Sequence, residues 1–256
     1  MPKLPVGPMS PMLNKVPTVT ITFWIIKIMS TTVGETGADY LAVHAGLGVV
    51  LTDVIMASLL AVALITQLKT RQYVPWIYWT TVVLLSVVGT QLTDALTDGL
   101  GVSLYLSSAF FAVCLASVFY VWYRTERTLS IQSITTTRRE LFYWSAVLVT
   151  FALGTAAGDL ATEALGLGFS LGAVIFSILL LAMACATQFG ANRVTTFWLA
   201  YILTRPFGAS LGDLLSQSRT YGGLGMGSVS TSVCFLLVIV ALVGFVSLPG
   251  IRSGRT

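Results

Sequence analysis

The hydrophobic positions along this chain fall into eight long apolar stretches, near residues 19–43, 47–67, 74–97, 101–123, 141–165, 168–188, 194–217 and 227–248. Each is about 20 residues long, enough for a helix to cross a hydrocarbon core of ~30 Å. The stretches alternate in character. The odd ones carry polar and charged residues inside the apolar run. The even ones are plainer and open after a Gly-Leu-Gly turn, at 46–48, 99–101, 166–168 and 223–225. This pattern predicts an all-α polytopic membrane protein with eight transmembrane helices.

The odd stretches share a skeleton. Trp24, Gly34 and Asp39 return with the same spacing as Trp79, Gly89 and Asp94, as Trp144, Gly154 and Asp159, and as Trp198, Gly208 and Asp213. An aromatic precedes each Trp: Phe23, Tyr78, Tyr143 and Phe197. The chain is therefore four tandem two-helix repeats, a periodicity that fixes the architecture before any single residue is interpreted. Two crossings per repeat send all four repeats into the membrane in the same direction. Their axis then lies along the membrane normal, as in parallel repeats.

Composition agrees with a membrane protein: 55% of residues are hydrophobic and 9% charged, against about 25% charged in soluble domains. Mean hydropathy is +0.87. The net charge of +4 changes meaning once the charges are located. Lys3, Lys15, Lys69, Arg71, Arg124, Arg127, Arg138, Arg139, Arg193, Arg252 and Arg255 fall on one side, and Arg219 on the other. An excess of Lys and Arg marks the cytoplasmic side, so both termini are expected in the cytoplasm of a plasma (inner) membrane. The charge is a topology signal and no nucleic-acid footprint. The organisation expected is a cytoplasmic tail over 1–18, repeats 1 and 2 over 19–123, a cytoplasmic linker over 124–140, repeats 3 and 4 over 141–248, and a tail over 249–256. No apolar run precedes residue 19, so a cleavable signal peptide is not expected.

Candidate chemistry lies in the acids. Glu126 and Glu140 are assigned to the cytoplasmic linker; Glu35, Asp39, Asp53, Asp94, Asp98, Asp159, Glu163 and Asp213 lie within or at the outer end of apolar stretches. Lys27 and Arg205 are the bases opposing them there. Intramembrane carboxylates cost roughly 2.5–3.5 kcal/mol each, so they face protein or water and mark ion or proton routes. Asp39, Asp94, Asp159 and Asp213 should share one depth, and a ring of carboxylates is a common construction for a cation path. Glu35/Asp39, Asp94/Asp98 and Asp159/Glu163 are spaced to share a helix face, with Gln217 as the counterpart in repeat 4. The competing reading puts these acids just outside the hydrocarbon, solvated or capping the next helix. Lys27, Thr31 and Glu35 follow the same four-residue step, as do Arg205, Ala209 and Asp213. Each base is thus a candidate gating or counter-charge partner of an acid; the alternative for Lys27 is a static pair or a chain reaching the cytoplasmic surface. Pro206 should kink the seventh stretch.

The glycines, with small residues four further on (Ala38, Thr93, Gly158, Gly212), form the small-xxx-small pattern of close helix contacts. The four Trp are expected as cytoplasmic interface anchors. His44 is expected to be incidental, and Cys114, Cys185 and Cys234 to be small core residues. With no Cys/His cluster and with hydroxyls at Ser30, Thr31, Thr32, Ser86, Thr150 and Thr204, the donors suit hard cations. No nucleophile-elbow, zinc-protease or phosphate-loop motif occurs, so no enzyme and no cofactor beyond a bound divalent or monovalent cation is expected.

The stretches Ser-Thr-Thr-Val-Gly-Glu-Thr-Gly-Ala-Asp (30–39) and Trp-Leu-Ala-Tyr-Ile-Leu-Thr-Arg-Pro-Phe-Gly-Ala-Ser-Leu-Gly-Asp (198–213) resemble a bacterial membrane protein family of four tandem two-helix repeats with a characteristic Trp. The resemblance covers residues 19–248 and implies eight transmembrane helices; the family is catalogued as a repeat of unknown function. The expectation from the residues themselves is a transporter or channel for a hard cation, a divalent ion such as Mn or Mg favoured. Its metal-binding residues would be Asp39, Asp94, Asp159, Asp213, Glu35 and Glu163, with Lys27 and Arg205 as counter-charges and Asp98, Thr31 and Gln217 in support. Its partners would be the lipid bilayer and the ion, with a homo-oligomer compatible. A carrier of a small zwitterionic solute and a non-transporting scaffold are the alternatives.

Overall fold

The computed structural model describes residues 13–43 and 48–248, without the side chains of Asp39, Ala42 and Val43. His44 and the first two residues of the 46–48 turn lie outside the described residues, as do most of the 1–18 tail and the 249–256 tail. Among the described residues the chain is all helical, with eight long helices: α1 (Ile21–Val43), α2 (Val49–Lys69), α3 (Pro75–Asp94), α4 (Leu104–Glu126), α5 (Thr137–Asp159), α6 (Gly168–Gln188), α7 (Arg193–Ser216) and α8 (Ser228–Ser247). Local signals set their starts. Pro75 opens α3, where its missing N–H costs nothing. Ser103, Thr136 and Asn192 cap α4, α5 and α7 by accepting from free backbone N–H groups. The second glycine of each Gly-Leu-Gly turn (Gly48, Gly101, Gly168, Gly225) has φ between 68° and 78°, a region glycine enters without steric cost.

Six helical spans are long and apolar enough to cross a membrane: α2, α3, α4, α5, α6 and α8. That marks a membrane protein. Helices α1 and α7 fall short because they carry Lys27, Glu35 and Asp39, and Arg205 and Asp213, among many hydroxyl residues.

The helices form two concentric layers. α1, α3, α5 and α7 make a closed inner ring, each touching the next and α7 returning to α1. The outer helices do not pack chiefly on their own repeat. α2 lies on α3, α4 on α5, α6 on α7, and α8 on α1. Each repeat therefore borrows its main contact from the following one, and the last repeat borrows from the first. Burial follows the layers: 67% of the α3 span is buried, against 11% of the α2 span. Cys114, Cys185 and Cys234 sit on outer helices, the last two exposed, so they are not core residues.

The glycines explain how the ring closes. A Cβ on Gly34 would come within 1.9 Å of the Ser86 hydroxyl; one on Gly89 would meet Phe151 Cβ at 2.5 Å. One on Gly154 would meet Arg205 Cβ at 2.4 Å, and one on Gly208 the Thr31 hydroxyl at 1.9 Å. Ser86, Phe151, Arg205 and Thr31 each stand seven residues after a repeat Trp. Every glycine thus receives the same position of the next repeat, which requires the four inner helices to run in the same direction.

The N-terminal segment departs from a loose tail. Lys15 and Val16 are buried, and Leu13 N and Lys15 N donate to the carbonyls of Arg71 and Ile134. Lys15 Nζ donates to Glu140 at 2.5 Å and to the Leu68 carbonyl at 3.1 Å, while Gln67 donates to the same carboxylate at 3.1 Å. Glu140 is therefore an acid at 1% exposure on α5, and not a solvated linker residue. Removing one partner of a buried pair is strongly destabilising because the other stays buried and charged. In Lys15→Met, limited proteolysis should cut the segment 13–20 about tenfold faster or more, as the open form becomes more populated.

Candidate functional site

The inner ring stacks its side chains in layers. At the N-terminal end lie the aromatics, where each residue preceding a Trp packs on the Trp of the next repeat. Phe23 meets Trp79 at 5.5 Å between centroids, Tyr78 meets Trp144 at 5.4 Å, Tyr143 meets Trp198 at 6.2 Å, and Phe197 meets Trp24 at 5.6 Å. Tyr78 and Tyr143 share a 2.5 Å hydroxyl hydrogen bond. Trp79, Trp144 and Trp198 are buried. Their indole N–H groups donate to the Tyr73 hydroxyl, Glu140 and the Leu129 carbonyl. The Trp residues thus form an aromatic plug, and these three do not face lipid as interface anchors.

One turn deeper is Lys27, fully buried. Its amine lies 4.0 Å from the centroid of the Phe151 ring and 4.2 Å from that of Tyr201. It has no hydrogen-bond partner among the described residues. Attraction to the two ring faces is what holds it. Lys27 neither pairs with Glu35 along its own helix nor reaches the surface.

Arg205 occupies the next level, also fully buried, and binds the other three inner helices at once. Its Nη1 donates to the Thr31 carbonyl at 2.6 Å, its Nη2 to Glu35 at 2.7 Å and to the Thr90 hydroxyl, and its Nε to the Thr155 hydroxyl at 3.0 Å. The guanidinium fork suits this, since its five donors point in fixed directions. Arg205 was expected to share a face with Asp213; its acid is instead Glu35, across the α7–α1 seam. Thr31 supports the centre through its carbonyl and donates its hydroxyl to the Thr204 carbonyl at 3.2 Å. Thr90 and Thr155 were missed in the sequence. They were findable, because Glu35, Thr90, Thr155 and Ala209 all follow the repeat glycine. Pro206 lies buried inside α7 and removes one helical N–H.

The carboxylates lie beyond this level. Asp94, Asp159 and Asp213 are each half-buried, and Asp159 lies within electrostatic reach of Glu35, Asp94, Glu163 and Asp213. Acids of all four repeats thus converge on one end of the bundle. The side chain of Asp39 lies outside the described residues. Among the described residues, no three His, Cys, Asp or Glu side chains are grouped closely enough to hold a metal ion.

The four-residue pairs are altered by a local change in the helix. After Asp94 and Asp159 the chain turns π-helical, over Ala95–Gly99 and Leu160–Ala164. The wider i→i+5 turn means a four-residue step no longer completes a turn. Asp98 and Glu163 are exposed where Asp94 and Asp159 are half-buried. Gln217 caps the end of α7 in extended backbone, its N–H donating to the Asp213 carbonyl at 2.9 Å and its carbonyl accepting from Gly225.

A family model described as Repeat of Unknown Function (DUF347) matches residues 22–73, 77–128, 142–191 and 196–250, one inner and one outer helix each. No curated protein and no solved structure matches the chain.

Proposed function

We propose, since the chain belongs to the family defined by this repeat, that its four repeats act together as a transporter for a hard cation moving along their shared axis. The observation that carries this reading is that acids of all four repeats, Glu35, Asp94, Glu163 and Asp213, lie within electrostatic reach of Asp159, beyond the buried Arg205–Glu35 pair. Acids in a membrane interior are costly and belong to ion or proton routes. Their oxygens suit a divalent ion such as Mn or Mg, a monovalent ion or a proton.

On this reading α1 and α7 also cross the membrane, giving eight spans. Their polar faces turn to the axis, away from lipid, which offsets their weak apolarity. Both termini lie on the cytoplasmic side of a bacterial inner membrane, with the basic residues of the loops. A cation arriving among the carboxylates competes with Arg205 for Glu35. Loosening that pair frees a side chain that ties all four inner helices together, and so gates the bundle. A zwitterionic solute is the second reading, favoured by opposite charges 2.7 Å apart on the axis.

Reconstituted in liposomes, the protein should take up one of Mn, Mg, sodium or protons under an imposed gradient. The Asp159→Asn/Asp213→Asn double variant should cut that flux about a hundredfold, the order lost with a positioned proton or charge group. Unchanged flux in the folded double variant would sink the carboxylate assignment.

A further inference from the structure

The four seams of the inner ring are equivalent by repeat, but their Trp residues are not equally served. Trp79, Trp144 and Trp198 each donate to an acceptor in the protein, whereas the indole N–H of Trp24 has none among the described residues. Trp24 is also the half-buried member of the four. It lines a cavity of about 480 Å³ at the α7–α1 seam, within the size range of sites for small molecules. In the α5–α7 seam the outer helix fills this region with Phe119 and Trp122 of α4, packed on Trp198 at 4.9 and 5.9 Å between centroids. In the α7–α1 seam α6 offers Leu180, Met183, Ala184 and Thr187, side chains too slender to close it.

A second cavity, of about 420 Å³, lies at the matching place between α1 and α3, where Phe23, Ile26 and Trp79 stand for Phe197, Ala200 and Trp24. The two differ in chemistry. The N-terminal segment walls the α1–α3 cavity with Asn14, Thr18 and Thr20, beside Gln72 and Tyr73, so water suits it. The α7–α1 cavity is lined by Val19, Ile28, Leu180, Met183 and Ala200, with no acid among its described lining residues. The charge in its lining is Arg193, exposed at the start of α7 and in no ion pair among the described residues. α1 and α6 scarcely touch, and exposed apolar side chains flank the gap, Ile21 and Ile25 on α1 and Leu181 on α6. The cavity therefore faces the lipid side of the bundle, at the end where the basic loops gather.

We propose that this seam binds one anionic phospholipid from the adjoining leaflet, its phosphate on Arg193 and one acyl chain in the apolar cavity. Arg193 stands four residues, about one helical turn, before Phe197, on whose ring Trp24 packs at 5.6 Å. A cation thus lies at the headgroup level and an unpaired N–H one turn deeper, where a phospholipid carries its ester carbonyls. A free anion has no use for the apolar wall, and a bare hydrocarbon leaves both donors unmet. Basic pockets between membrane helices on the cytoplasmic side hold acidic headgroups for the same reason. The lipid bridges α6, α7 and α1, and closes the ring where the last repeat meets the first. That seam also holds the Arg205–Glu35 pair. The proposal rests on the membrane location and not on transport, so a failed flux assay leaves it standing.

Native mass spectrometry of the full chain in a neutral detergent tests this, with phosphatidylglycerol and phosphatidylcholine titrated in competition. One phosphatidylglycerol should be retained per chain, with a preference of about fivefold or more. It should also raise the thermal midpoint, as a ligand of the folded state does. Arg193→Gln should erase the preference for the anionic headgroup. Ala184→Trp, at an exposed position on the cavity wall, should expel the lipid from a folded, monodisperse protein. Equal retention of the two lipids by the wild type, or an unchanged preference in Arg193→Gln, would overturn the proposal. Retention unchanged in folded Ala184→Trp would place the lipid elsewhere on the surface and overturn the site. Stabilisation by inorganic phosphate alone, with no lipid held, would mean a free anion and overturn the lipid.

Discussion

Replacing Arg205 with methionine should destabilise the protein by about 3–5 kcal/mol, the range for breaking a buried pair and leaving one charge uncompensated. Glu35 would remain buried without a cation, and the Thr31 carbonyl and the Thr90 and Thr155 hydroxyls would each lose their donor. Methionine keeps the Cβ and Cγ that fill the notch at Gly154, so the loss reports on the guanidinium and not on a cavity. Thermal unfolding in detergent should show it, at about 2–4 °C per kcal/mol for a chain near this size. Adding Glu35→Gln to Arg205→Met should recover part of the loss, because the stranded charge disappears. A single variant as stable as wild type would show that the pair is worth nothing to the bundle. A double variant no better than the single would mean that the threonine contacts matter more than the charge.

A single methyl group should separate two glycines of the inner helices. Gly89→Ala drives its Cβ to 2.5 Å from Phe151 Cβ and 3.3 Å from the Ala152 nitrogen. Those atoms belong to backbone or lie next to it, so α3 and α5 must move apart. Overpacking of this kind costs about 1–3 kcal/mol. Gly37→Ala meets nothing closer than Val87 Cγ2 at 3.9 Å, and should gain up to about 1 kcal/mol from helix propensity alone. The two variants should therefore move the unfolding midpoint in opposite directions. Equal shifts would contradict the close approach of α3 and α5.

The repeat explains how much of this was legible. Trp, Gly and Asp at constant spacing announced four helix pairs, and small residues four apart announced that the first helices approach closely. What spacing along one chain cannot reveal is which helix faces which. Asp213 stands eight residues from Arg205, two helical turns along the same face, whereas the acid that binds it, Glu35, is 170 residues away. Within one helix only neighbours in sequence can be compared, so the nearer acid looked like the partner. Glu140 was hidden for a related reason. It follows Arg138 and Arg139 in a polar stretch that reads as solvated, and its burial depends on Lys15, 125 residues distant. The Trp residues were ambiguous in kind, since an indole suits either a membrane interface or a core with an acceptor nearby. The π turns after Asp94 and Asp159 left no mark in composition. The column Glu35, Thr90, Thr155, Ala209 was present throughout, and aligning the repeats by their glycines would have exposed it.

The borrowing of contacts between repeats has a consequence for the order in which the chain is made. The outer face of α1 is covered by α8, and Glu35 is neutralised by Arg205 of α7. Both partners are synthesised after α1, which is one of the two helices too polar to meet the apolarity of a membrane span. During translation the first helix must therefore wait, poorly suited to lipid, until almost the whole chain has emerged. Assembly of this protein therefore ends where it began, when the last two helices reach the first.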